Sequence, residues 1–314
     1  MAEMNTPEQD EERGPEPEVP AQPEFRPEEP IPPPPAHAEE EVETFVEPPR
    51  RRFIRPLGKP MRLVFGDMAG VFFLVWVPIV FLFVFPAEQW FLRGTVLGDM
   101  TWPQLLTAVI IALPPFVVLT VHLAKGRLLD GILDMLLWAI WECGTMIVMC
   151  YLYPGTAERM LWQSGSYWSE MSAWVATGIG AEGDPGQWLS IHLKNIILLF
   201  VGALVFGLPA LVMGVLQLNY MNYYVARCLL MSDNVLITLP IAWHFWSIIR
   251  VIGYIVIAST LYQLNLRALF RAPARTASIW GGLIIGIVLT VIDGLLKWQF
   301  ADHVRLVLKV LCDL

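Results

Sequence analysis

Few side chains in this sequence can do chemistry, and most of them sit in apolar surroundings. Arg250 and His244 lie in PIAWHFWSIIRVIGYIVIAST, residues 240–260, and Asp293 lies in IVLTVIDGLLKWQF, residues 287–300. Asp134 and Glu142 share LLDGILDMLLWAIWECGTM, residues 128–146, and Asn195 and Asn219 flank a glycine-rich stretch. Carboxylates and a guanidinium withdrawn from water can pair, relay a proton or hold an ion. Ionisable groups are costly in apolar runs, so they must face other protein. Asp134, Trp138 and Glu142 are spaced i, i+4 and i+8, which puts them on one helix face, and that face must point inward. Arg250 is then the natural counter-ion for Glu142 or Asp293. His244 precedes Arg250 by six positions, so the two do not share a face. A lone histidine in such a run more often bridges helices by a hydrogen bond than catalyses. Asp67, His122 and Asp130 lie near the ends of apolar runs, where capping or an interface explains them.

Enzyme signatures are missing. The sequence has no HExxH, GxSxG or P-loop, and no paired metal ligands. GIGAEG, residues 178–183, formally fits GxGxxG, but no strand pattern precedes it and Asp184-Pro185 follows at once, so it reads as a loop. Cys143, Cys150, Cys228 and Cys312 form no CxxC, and neither a disulfide framework nor a zinc site is expected. No catalytic residue, cofactor or metal is therefore predicted.

The elements that must position these residues are membrane helices. Of 314 residues, 55% are hydrophobic and 16% charged. Residues 1–60 hold 15 of the 29 acidic residues, 7 of the 21 Lys and Arg, and 15 of the 25 prolines. The net charge of −8 thus belongs to the N-terminal part and implies no charged partner for the rest. Residues 1–49 read as a disordered acidic, Pro-rich tail, a spacer or a docking arm for a protein partner. No basic or apolar leader opens it, so no cleaved signal peptide is expected. RRRFIRPLGKPMR, residues 50–62, is a basic juxtamembrane segment. Its Arg50, Arg51, Arg52 and Arg55 hold the N-terminus in the cytoplasm and can contact anionic lipid. It is too short, and too close to an apolar run, to suggest nucleic-acid binding.

From 63 to 300 the pattern predicts an all-α polytopic transmembrane bundle of about six hydrophobic runs. The first three are 63–85, 105–124 and 128–153, and 154–190 is the connecting segment, with an interfacial helix over 159–176. Residues 195–226 and 235–266 are each too long for one simple crossing, roughly 48 Å against roughly 30 Å. If both crossed once, Arg267, Arg271 and Arg275 would face away from Lys125 and Arg127, against the positive-inside rule. A broken or re-entrant element is therefore predicted between about 195 and 230, where Gly202, Gly207, Pro209 and Gly214 concentrate. The last span is 279–300, and 301–314 reads as an amphipathic segment lying on a surface.

The order of features over 128–300 resembles the stage II sporulation protein M family of bacterial membrane proteins. CYLYPGTAERM closes one span before a loop. HLKNIILLFVGALVFGLPALVMGVLQLNYMNYY, LPIAWHFWSIIRVIGY and IIGIVLTVIDGLLKWQF then follow in turn. On this resemblance Asn195, Gly202, Gly207, Asn219, His244 and Asp293 match the family's recurring polar and glycine positions. Tyr220 stands where the family places Gly, and Phe245 and Ile248 replace its Gly and Glu after the histidine. The resemblance implies a non-enzymatic scaffold in cell-envelope organisation, in a bacterial inner membrane. The alternative from the residues alone is a transporter or permease subunit, with a site on a broken helix beside intramembrane charges.

Overall fold

A computed structural model describes residue 70 and residues 75–83, 95–97 and 99–314 of the chain. The tail 1–49, the segment 50–62 with its arginines, and Asp67 lie outside the described residues. Residues 75–83 are helical (α1), and Thr95–Leu97 (β1) pairs antiparallel with Met100–Thr101 (β2), a small hairpin in what reads as a plain loop. Then come α2 (Trp102–Ala124), α3 (Leu128–Leu152), α4 (Pro154–Met160) and α5 (Ser164–Thr177). After a 3-10 turn at Ala181–Gly183 follow α6 (Pro185–Leu204), α7 (Leu208–Met231), α8 (Val235–Ala242), α9 (Phe245–Phe270) and α10 (Thr276–Leu311). Apart from that hairpin, the described residues are all-α. Among the described residues, five helices, α2, α3, α6, α9 and α10, are long and apolar enough to cross a membrane. The sixth long helix, α7, carries Gln217, Asn219, Asn222 and Arg227, and is buried along most of its length against α2, α3, α5 and α6.

Local chemistry sets the helix starts. Gln104 accepts from the Thr101 backbone N–H at 2.9 Å, and Pro103 occupies the first turn of α2, where a missing N–H costs nothing. Asp184 accepts from the Gly186 N–H at 2.9 Å, and Pro185 opens α6. This start corrects the sequence reading, which left residues up to 190 in a connecting segment. Gln187, His192 and Lys194 dilute the apolar pattern there, while Asp184-Pro185 is itself a helix-start signature.

Both overlong runs are broken. The first doubles back: α6 and α7 are joined by only three residues, with Phe206 at φ 60° and Gly207 at φ 74°. A Cβ on Gly207 would lie 2.7 Å from the Tyr262 ring, and one on Gly202 would lie 2.7 Å from the Ala210 nitrogen. Only glycine fits the second of these approaches, and glycine alone also suits the φ of the first. The Asn265 amide donates to the Leu204 carbonyl, satisfying a C-terminal acceptor that α6 leaves open. Two limbs of 20 and 24 residues form this hairpin, so it is a pair of full helices rather than a shallow re-entrant loop. The second run breaks at Trp243-His244, where His244 takes φ 49° and α9 begins.

Doubling back gathers the basic loops. Gly126, between Lys125 and Arg127, packs on Pro273, and the Gln263 amide donates to the Pro273 carbonyl at 3.3 Å. Lys125, Arg127, Arg267, Arg271 and Arg275 are thus exposed at one end of the helices. The other end carries α4, α5, the 3-10 turn and the C-terminus of α10. There Lys309 donates to the Ala176 carbonyl at 2.7 Å and Arg305 to the Val175 carbonyl at 3.4 Å. Most of the amphipathic segment 301–314 is the continuation of α10, which ends at Leu311. No Gly or Pro stops the helix after Phe300, and it runs for 36 residues, roughly 54 Å.

Candidate functional site, a buried ladder of charges

Asp293 and Lys297 are one turn apart on α10 and face the same way, into the protein, with only 1% and 0% of their surface exposed. Arg250 on α9 grips Asp293 with two hydrogen bonds, Nε to Oδ2 at 2.8 Å and Nη2 to Oδ1 at 3.0 Å. That fork geometry is the strong form of an ion pair. Lys297 places Nζ 2.6 Å from Oε2 of Glu182 in the 3-10 turn. The signs therefore alternate from α9 through α10 to the turn, and the four charges cancel.

Two residues of α6 complete the surroundings. The Trp188 ring lies 5.2 Å from Lys297 Nζ, a cation–π distance. His192, one turn on, lies with its ring centroid 5.4 Å from that of Trp188 and its Nε2 4.0 Å from Asp293 Oδ2. Burial pushes the Glu182 carboxyl up, but Lys297 and then Arg250 outweigh it and hold Glu182 below its ordinary value.

The remaining candidates have other neighbours. Glu142 is fully buried on α3 and accepts from the Asn222 amide of α7 at 3.2 Å, so of the two carboxylates open to Arg250 it is Asp293 that receives it. Asp134 is only half-buried, near the basic end, where its Oδ2 lies 2.8 Å from His122 Nε2. Asn219 is buried, with no partner for its Oδ1 among the described residues, and Asn195 is half-buried. His244 stands at the start of α9 in an aromatic box. Its ring stacks on Trp246 at 4.9 Å and meets Tyr224 at 5.8 Å and Trp174 at 6.0 Å. Of the seven residues singled out in the sequence, only Arg250 and Asp293 form a direct pair.

Glu182, Lys297, Trp188 and His192 were not singled out. Lys297 had a detectable pattern, since it follows Asp293 by four positions inside an apolar run. Glu182 had none, because it sits in a glycine-rich loop whose role is set only by folding.

A cavity of about 90 Å³ lies among α2, α3, α6, α7 and α9, with Asn195, Arg250 and Tyr254 on its mostly apolar wall. Among the described residues, the Tyr254 hydroxyl has no hydrogen-bond partner. Among the described residues, no group of three or more His, Cys, Asp or Glu is placed to hold a metal. No family model, curated protein or solved structure matches the chain. Five apolar helices of crossing length over a buried, self-neutralising ionic core define the class, an integral membrane protein.

Proposed function

We propose that the chain is a polytopic helical-bundle scaffold or complex subunit of a bacterial inner membrane, without enzymatic activity. Its basic end faces the cytoplasm, the sidedness the positive-inside rule assigns to Lys125, Arg127, Arg267, Arg271 and Arg275. The observation that carries the scaffold reading is the closure of the ladder. Arg250 is matched by Asp293 and Lys297 by Glu182, so these charges fasten α9, α10 and the loop before α6 to one another. A site built to take up an ion would leave at least one of them free for it.

The resemblance to the stage II sporulation protein M family supports a role in cell-envelope organisation. Gly202 and Gly207, two positions of that resemblance, lie at the α6–α7 turn, where side chains would not fit. Residues 1–49 serve as the arm that recruits a protein partner. The test is purification of tagged protein in mild detergent, with and without residues 1–49. A stoichiometric partner lost with the arm supports the reading, and a partner-free protein in both forms overturns it.

A second reading, a transporter or permease subunit, is favoured by the cavity that Arg250 and the unpartnered Tyr254 hydroxyl reach. It expects Arg250→Ala to abolish solute uptake while the protein accumulates normally. The scaffold reading expects lower accumulation and no uptake to lose.

A further inference from the structure

Two cysteines that lie 84 positions apart in sequence meet in the fold. Cys228 is in the last turns of α7, and Cys312 directly follows the last residue of α10. The Cys312 Sγ donates to the Cys228 backbone carbonyl at 3.7 Å, which sets the two cysteines side by side. Both side chains are buried, at 0% and 1% exposure, beneath the end of α10 that Arg305 and Lys309 tie to α5. This is the end opposite the basic loops.

We propose that Cys228 and Cys312 are a disulfide site that clips the C-terminus of α10 to α7. The inference rests on the sidedness proposed above, which places the pair in a compartment where disulfides persist. The reaction needs a disulfide-bearing thiol oxidant. The Cys312 thiolate attacks one sulfur of the oxidant and expels a thiolate. The Cys228 thiolate then attacks the Cys312 sulfur of the mixed disulfide and expels the second. The pair loses two protons and two electrons, and the oxidant leaves as two thiols. The Cys228 thiol beside it holds the Cys312 thiol below its ordinary value, which suits Cys312 to the attacking role. Its position past the last turn of α10 gives the oxidant access when that helix end frays. By contrast, Cys143 and Cys150 lie seven positions apart on α3, nearly two turns, and are not so paired.

The test uses the full chain in its native membrane. Cells are quenched in acid, free thiols are blocked, and the protein is then reduced and labelled with a maleimide mass tag. Two tags on the wild type are expected, with both lost in Cys228→Ser and in Cys312→Ser and both kept in Cys143→Ser. Unreduced protein should run as a monomer, because the bond is within one chain. No reduction-dependent tag in cells overturns the proposal, and a copper–phenanthroline oxidation of reduced, detergent-purified protein says why. If that oxidation links the pair, the sidedness has failed, and if it does not, the juxtaposition has failed.

Discussion

The two ends of the helix bundle use charge in opposite ways. At the basic end, five Lys and Arg stand exposed on two short loops and the last turn of α9, and the loops touch through Gly126 and Pro273 rather than through their charges. At the other end, two cations and two anions are drawn inside and matched one to one. Exposed charge is cheap to keep and easily screened, so it does little to hold the chain together. Buried charge is held only where partners meet it with good geometry, so it ties elements together. Mutations should therefore cost much at the ladder and little at the basic end.

The largest effect is expected from Arg250→Ala, which leaves Asp293 at 1% exposure without its forked partner. Breaking a buried pair from one side costs about 3–5 kcal/mol, and unfolding in detergent micelles should show it. The double variant Arg250→Met, Asp293→Leu sharpens the contrast, because exchanging a whole buried pair for apolar groups is often neutral. Recovery of most of the loss in the double variant marks the pair as a fastener. Recovery of stability with a lost uptake or binding activity would instead move the pair to the transporter reading.

Next comes the other rung. Glu182→Gln strands a lysine with no exposed surface, at a cost of about 3 kcal/mol, whereas Lys297→Met removes the charge that needs a partner and should cost less. Acid should reproduce Glu182→Gln. The carboxyl's folded value lies below its ordinary 4.5, so its contribution is complete above that pH and is lost as pH falls through the lower folded value. A thermal-melt series from neutral pH downward should show a descending limb below about pH 4.5 that Glu182→Gln largely lacks.

How much of this could be read from the sequence follows from the range of each interaction. The apolar runs are local patterns, and so was the strain of fitting two overlong ones. That placed a break near Gly202 and Gly207 and brought the basic loops together. Arg250 and Asp293 stood out because each is a charge inside an apolar run, although Glu142 looked like an equal partner until the fold gave it Asn222. The Lys297–Glu182 rung was not legible. No spacing rule links a helix to a loop more than a hundred positions earlier, and Glu182 sits in a segment that failed as a nucleotide motif. The early start of α6 was hidden because His192 faces Asp293 and so looks, in sequence, like loop polarity.

A glycine substitution tests the turn that makes both ends what they are. Gly207→Ala keeps every charge but asks an L side chain to adopt φ 74° with its Cβ 2.7 Å from the Tyr262 ring. The loss should exceed about 1 kcal/mol. It should also weaken attachment of the Arg271–Arg275 loop, since Tyr262 and Gln263 are neighbours on α9 and Gln263 holds Pro273. Faster proteolysis at that loop, with the ladder variants showing no such change, is the expected pattern.

The smallest effect belongs to His122 and Asp134, and it is the sharpest check on the contrast between the ends. Their contact is short, 2.8 Å, which by distance alone ranks it with the Arg250–Asp293 bonds. Yet the two side chains are 21% and 23% exposed, against 14% and 1% for Arg250 and Asp293. Water competes for both groups, and such pairs contribute about 0–1 kcal/mol. Asp134→Asn, measured beside Arg250→Ala under the same conditions, should therefore shift stability by no more than that. A loss as large as the one at Arg250 would mean that burial does not separate the two ends and that contact distance alone governs the cost.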